Sequence, residues 1–273
     1  MSTHARCGIP ASMAPMATET ANPLAPNSLA GKRVLVTGSS RGVGADTARY
    51  FAQAGATVVI NYRNKAARAQ KIVTEITEAG GSAIAIGCDI TDAASVATMM
   101  AEIRSELGGL DIQVLNASGG MESNMGEDAL RLNRDAQLGM LDAALPLMSE
   151  GARVVFVTSH QAHFIRTTST MPEYEPVALS KRAGEDALLE RVPDLNERGI
   201  GFVVVSGDMI EGTITATLLN RLNPGAIEAR RQEAGKLYNV AEFAAEVAAA
   251  AVAEVPENNV KLVGDVSSFN GEG

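Results

Sequence analysis

Residues 37–44 read Thr37-Gly38-Ser39-Ser40-Arg41-Gly42-Val43-Gly44 and follow directly on the apolar run Val34-Leu35-Val36. Glycines let a backbone turn sharply and approach a pyrophosphate, whose charge then lies at a helix N-terminus. Such a turn alone is equally a plain structural turn. A strand before it and a helical pattern after it, at the head of a βα series, make the case for a dinucleotide. An NAD site places a carboxylate about 20 residues further on, to accept from the ribose 2′-hydroxyl. Here the chain reads Asn61-Tyr62-Arg63-Asn64-Lys65, with no acid. Guanidinium forks suit a phosphate, so Arg63 and Arg41 point to a 2′-phosphate and to NADP(H) as cofactor. Two solvated surface arginines are the other reading. A second polar candidate, Ser159, ends the apolar run Val154-Val155-Phe156-Val157. Strand C-termini of open α/β sheets border the ligand crevice, which points its hydroxyl at a ligand. No G-x-S-x-G elbow surrounds it, which argues against a serine hydrolase.

These residues need elements to hold them. From Lys32 onward, short β-branched runs (34–36, 57–60, 83–86, 112–115, 154–157, 202–205 and 261–263) alternate with alanine-rich helical stretches. The helical stretches fall near 43–54, 65–79, 93–107, 128–148, 176–196 and 240–255. Continuous apolar strands suit a parallel sheet covered on both faces. Strands separated by helices imply right-handed crossovers. The expected fold is α/β, a doubly wound parallel sheet of Rossmann type, in a single domain over residues 29–273. Residues 1–28 read as a disordered extension. Pro10, Pro15, Pro23 and Pro26 interrupt any helix there, and there is no continuous apolar stretch of the kind a secretory signal carries. Cys7, in that extension, has no expected role.

Composition narrows the function classes. The 273 residues carry 23 Lys and Arg against 32 Asp and Glu, a net charge of −9. That balance, with charges intermixed, argues against a nucleic-acid partner. No apolar run reaches the roughly eighteen residues of a membrane span. Two cysteines, Cys7 and Cys88, make neither a disulfide framework nor a four-ligand zinc site. The expectation is a cytoplasmic protein without a metal, a nucleic-acid partner or a membrane.

More motifs fall at fixed places in the βα series. Asp89-Ile90 follows the third apolar run and Asn116-Ala117-Ser118-Gly119 the fourth. Asn133 lies in the next helical stretch, Thr158-Ser159 ends the fifth run, and Ser180-Lys181 follows in the helix after it. With its G-x-x-x-G-x-G turn, the chain resembles the short-chain dehydrogenase/reductase superfamily from about residue 31 onward. By that resemblance, Gly38, Ser40, Arg41, Gly42, Val43 and Gly44 form the nucleotide loop, with Tyr62 and Arg63 beyond the second strand. Asp89 and Ile90 would bracket the adenine, and Asn116, Ala117 and Ser118 stand where the family writes N-A-G. Asn133 would anchor a water in a proton relay. Ser159 would bond the substrate carbonyl, and Lys181 the nicotinamide ribose. Ile210 and Thr213 would meet the carboxamide and phosphates, within a lid at about 207–236. The resemblance also implies a homodimer or homotetramer packed through the helices carrying Asn133 and Lys181.

The family's proton donor is a tyrosine four residues before the lysine. Here that position is Val177, which can neither give nor take a proton. Tyr174, seven residues before Lys181, is the nearest replacement; positions four and seven apart on a helix share a face. Pro176 suits a first helical turn and places Tyr174 just before the helix. A pocket-wall or surface tyrosine is the alternative reading. His160 and His163, which titrate near neutrality, are fallback donors, and a substrate phenol is another. On the substrate side, Gly119-Gly120-Met121 and Met125 suggest an apolar wall, and the 116–133 stretch is shorter than usual in the family. Ser206 stands in place of a family proline.

The expected activity is reduction of a ketone, quinone or polyketide-like carbonyl by NADPH, with an atypical proton donor. A catalytically silent NADP(H)-binding sensor is the rival of another class, and reduction of a carbon–carbon double bond is a third. Turnover of NADPH separates the first from the second.

Overall fold

The apolar runs pair as expected. In the computed structural model, which describes residues 20–119, 121 and 127–269, they form one sheet. Strands β1 (Arg33–Val36), β2 (Thr57–Tyr62), β3 (Ser82–Gly87), β4 (Leu110–Leu115), β5 (Met148–Ser159), β6 (Gly201–Gly207) and β7 (Val260–Val263) lie in the order β3-β2-β1-β4-β5-β6-β7. Every pairing is parallel. Parallel strands need crossovers, and helices supply them on both faces. Helices α1 (Gly42–Gln53) and α2 (Ala66–Glu78) cover one face together with the last helix, Val240–Ala250, described again below. Helix α3 (Ala93–Leu107) and the helices following β4 and β5 cover the other. The strand order reverses at β1 and β4, so the crevice for a ligand opens at their C-terminal ends.

Two long helical stretches are broken by local causes. The expected helix at 128–148 is α4 (Glu127–Leu130), a π-turn (Arg131–Asp135), α5 (Ala136–Ala144) and a 3-10 turn (Leu145–Leu147) containing Pro146. In the π-turn, the Ala136 N–H donates to the Arg131 carbonyl, five residues back. The Gln137 side chain donates to the carbonyl of Leu132 at 3.0 Å and to that of Ala117 at 2.9 Å, tying the turn to the loop after β4. After β5 comes α6 (His160–His163), then α7 (Glu175–Leu189) and α8 (Val192–Glu197). Pro193 opens α8, which splits the helix expected at 176–196.

The ordered fold starts earlier than residue 29. Leu24 and Leu29 are buried in the sheet core, and the Asn22 amide donates to the Tyr50 carbonyl at 3.0 Å. Residues 20–28 therefore pack as part of the domain, a correction to the reading of 1–28 as a disordered extension. Cys7, Gly120 and Met125 lie outside the described residues. After β6, helices α9 (Ile214–Leu222) and α10 (Ala226–Ala234) occupy the stretch read as a lid, before α11 (Val240–Ala250) returns to the sheet. A small apolar cluster of Ala162, Tyr174, Val177, Ala178, Met209, Ala216, Leu219 and Leu237 joins α6, α7 and α9.

Helix α7 is held against the π-turn at its closest point by a glycine. A Cβ on Gly184 would stand 2.0 Å from the Asn133 carbonyl oxygen. Gly184→Ala is therefore expected to cost about 3 kcal/mol of stability by forcing the two segments apart. A fall in urea midpoint at unchanged slope would show it. Gly139→Ala on α5, whose added Cβ meets nothing within 4 Å, is expected to leave the midpoint unchanged or raise it.

Candidate active site

A cleft of about 950 Å³ lies over the C-terminal ends of β1, β2, β4, β5 and β6. Its nucleotide end is built from the β1–α1 turn. The Thr37 hydroxyl accepts from the backbone N–H groups of Asn116 and Ala117 at 2.9 and 3.0 Å, locking the β1 and β4 ends together. The Asn116 amide donates to the Thr37 carbonyl, and the Gly38 N–H donates to the Asn61 side chain at 3.1 Å. Two glycines are needed for this closeness. A Cβ on Gly38 would lie 3.0 Å from the Ala117 Cα, and one on Gly44 would lie 2.5 Å from the Asn116 amide.

Ser40, Arg41, Gly42, Val43, Tyr62, Arg63, Asp89, Ile90, Ser118, Ile210 and Thr213 all line this cleft with Gly38, Gly44, Asn61, Asn116 and Ala117. Lys65 and Arg68 extend the cationic rim beside Arg63, and no acid follows β2 within it. Asp89, at the β3 end, is pushed up by burial, but bonds from the Thr91 hydroxyl and N–H, then Arg63 and Arg131, hold its carboxyl below the usual range. The Thr213 hydroxyl is spent on its own helix, donating to the Ile210 carbonyl and accepting from the Ala216 N–H. A cradle that a Cβ would fill, with the four cations Arg41, Arg63, Lys65 and Arg68 lining the cleft, fits a phosphate-bearing dinucleotide.

The catalytic end gathers Ser159, Tyr174 and Lys181. The Ser159 hydroxyl accepts from the Ala162 N–H at 3.3 Å, capping α6, and lies 3.1 Å from the Tyr174 hydroxyl. Tyr174 stands just before α7, held there by its N–H donating to the Met171 carbonyl. Its ring is buried, and Val177 packs one turn on in the same apolar cluster. Lys181 is half-buried in the cleft wall with no hydrogen-bond or ion-pair partner among the described residues. Asn133 lies behind the wall, not in it. Its amide donates to the Gly119 carbonyl and the Ser180 hydroxyl, both at 2.9 Å, and Ser180 donates on to the Val177 carbonyl. The side chain that the resemblance assigned to a relay thus orients the loop after β4 and the turn before Lys181.

The histidines are not proton donors to this cleft, which corrects the fallback reading. His160 is fully buried, with Nε2 on the Val263 carbonyl at 3.1 Å and Nδ1 on the Ser206 hydroxyl at 2.8 Å. A carbonyl only accepts, so Nε2 carries the hydrogen and Nδ1 accepts from Ser206. His163 pairs at 2.6 Å with the buried Glu185, which Arg182 also contacts. Neither ring lines the cleft.

Against this geometry stand the comparisons. The profile of the short chain dehydrogenase family matches residues 32–223. The chain belongs to that family. It is 38% identical over 146 residues to the short chain dehydrogenase/reductase AacuN of Aspergillus aculeatus, covering 51% of this chain and 55% of that one. It is 37% identical over 169 residues to the hydroxynaphthalene reductase-like protein Arp2 of Metarhizium guizhouense, covering 59% and 61%. These matches thus span little more than half of the curated relatives' lengths. Among solved structures, a short chain dehydrogenase from Burkholderia cenocepacia in complex with NADP has a TM-score of 0.73 at 29% identity, covering 89% of this chain and 99% of that one. A 7α-hydroxysteroid dehydrogenase complexed with NADH and 7-oxo glycochenodeoxycholic acid scores 0.74 at 25% identity, covering 89% and 95%. The angucycline C-6 ketoreductase LanV with bound NADP scores 0.66 at 27%, covering 84% and 91%. Among the described residues no helix is long and apolar enough to cross a membrane, and no group of three His, Cys, Asp or Glu could hold a metal.

Several functional residues escaped the sequence reading. Thr37 and Asn61 hold the nucleotide turn, and Gln161 and Asp208 line the cleft. Gln161 falls two residues after the strand-ending serine and Asp208 one residue past β6, positions that border the crevice of any such sheet. Burial drives the His160 imidazole down to about 4, against upward pulls from Asp208 and the Val263 bond, with His163 and Arg230 adding to the depression. A histidine kept neutral by folding contributes stability above its unfolded pKa of about 6.5 and loses it as pH falls toward 4. Stability is thus expected to drop by roughly 3 kcal/mol across that window. His160→Asn should flatten this slope in denaturant titrations run from pH 4 to 7.

Proposed function

We propose that this short chain dehydrogenase reduces the carbonyl of a ketone, quinone or polyketide-like compound with NADPH, and that Tyr174 is the proton donor. One observation carries the reading: the Ser159 and Tyr174 hydroxyls lie 3.1 Å apart in the cleft wall that Lys181 shares. Two hydroxyls at that separation can both donate to one oxygen. Bound NADPH supplies the hydride that reduces the carbonyl carbon. Ser159 and Tyr174 bond the carbonyl oxygen and stabilise the charge that develops on it. Tyr174 then passes its phenolic proton to that oxygen, and the Lys181 cation offsets the phenolate left behind. Tyr174 thereby takes over what Val177 cannot do, from a position one turn earlier.

The cofactor preference is supported by Arg41, Arg63, Lys65 and Arg68 on the cleft rim, where an NAD site would carry an acid. NADP in two of the neighbours agrees with it; NADH in the third does not decide it. A ketoreductase and a hydroxynaphthalene reductase-like protein among the similar chains support a ring ketone as substrate. Exposure of Leu179 on α7, at 52%, accords with a homodimer or homotetramer packed through α5 and α7.

Tyr174→Phe is expected to lower kcat by about 10²–10⁴-fold, with the NADPH dissociation constant unchanged. Full turnover in that variant would remove Tyr174 from the mechanism. Tight NADPH binding with no turnover on ketones, quinones or enones would favour the silent sensor. Arg41→Ala with Arg63→Ala is expected to weaken NADPH binding by about 100-fold and leave NADH binding as it was. Equal effects on the two would overturn the 2′-phosphate reading.

A further inference from the structure

We infer that Gln161 selects the substrate, by accepting a hydrogen bond from a hydroxyl group carried on the same ring system as the reacting carbonyl. The inference rests on the reductase reading and deepens it. Gln161 lies two residues beyond Ser159 and lines the cleft, half-buried, and the buried Asp208 lines it too. Its amide nitrogen is 2.9 Å from the Asp208 carboxylate. A carboxylate only accepts, so the NH₂ faces Asp208 and the carbonyl oxygen faces away from it. That oxygen has no partner among the described residues.

Asp208 itself is already engaged. Arg230 reaches both of its oxygens, at 2.7 to 3.0 Å, and the Met209 N–H donates to it at 2.7 Å. Arg230 is nearly buried, donates to Ser268 and lies over the Phe269 ring at 4.6 Å. The carboxylate is thus neutralised and immobile, and it fixes the amide it accepts from. What remains for a ligand on this wall is one preoriented acceptor, in a cleft also lined by the apolar side chains of Met209, Ala216 and Leu219. An apolar ring fills such a wall, and a hydroxyl on it satisfies the oxygen. A ring without one strands that acceptor, which is the costly case.

The test uses α-tetralone, its ring-hydroxylated isomers and the matching methyl ethers, binding to the NADPH-loaded protein. At least one hydroxylated isomer is expected to bind about tenfold tighter than both the parent and its ether. Gln161→Leu should bring that ratio to near one, with the parent ketone binding at least as tightly as to wild type because no acceptor is left to strand. The proposal is overturned if no isomer exceeds the parent, if the ether binds as tightly as the hydroxyl, or if the preference survives in Gln161→Leu. It is also overturned if Gln161→Leu weakens all three ligands equally with NADPH affinity intact, since Gln161 is then only part of the wall. NADPH oxidation in the same samples reads the reductase assignment separately. A hydroxyl preference without turnover upholds Gln161 as the recognition residue and sinks the catalytic reading.

Discussion

At Gly184 and Asn133 two backbones meet with space for a hydrogen and not for a methyl group. Most of the catalytic end depends on that contact. It presses α7 onto the π-turn, which places Ser180 within reach of the Asn133 amide and Lys181, the next residue, in the cleft wall. The same amide holds Gly119, so the loop after β4 and the helix after β5 are located by one side chain. A water-filled gap here would let α7 slide. Tight packing makes the positions discrete.

Within that frame the proposed function makes Val177 and Tyr174 a change of address. Val177 fills apolar space between α7 and α9, a role a phenol would perform badly because its hydroxyl would need a partner. Tyr174 finds its partner in Ser159 across the loop from α6. In the proposed reading, the buried phenol and the strand-end serine in contact serve as the proton-transfer site whatever their spacing in sequence. Function on a shared fold resides in the site, and the Y-x-x-x-K spacing describes how other members reach it.

How much was legible follows from range. The strands and the nucleotide turn rest on short-range patterns: continuous apolar runs, and glycines whose added Cβ atoms would strike Ala117 or Asn116. Those could be read. Pro176 placed Tyr174 ahead of its helix, also a local effect. The Ser159–Tyr174 contact was beyond reach, since it depends on how residues 160–173 fold back. His160 offered a familiar proton donor, yet the fold spends both its nitrogens on Ser206 and Val263, 46 and 103 residues away. Gln161 and Asp208 lie 47 residues apart and carry no motif. Leu24 was missed because the prolines around it suggested disorder, while the pocket it fills belongs to helices later in the chain.

The π-turn at Arg131–Asp135 also has a meaning as an angle. An α-helix turns by about 100° per residue, so an extra residue would rotate everything before it, unless a wider turn takes it up while the axis continues. Glu127–Leu130, with Ala129 buried and Glu127 and Asp128 exposed, are thus set by bookkeeping that happens after them in the chain. Deleting a single residue from 131–135 would close the wide turn into ordinary helix and leave that face where it is. Deleting one from α5 instead, where no wide turn absorbs the change, would rotate the face by about 100°. Ala129 would then turn out of the core, and a charged neighbour would turn in.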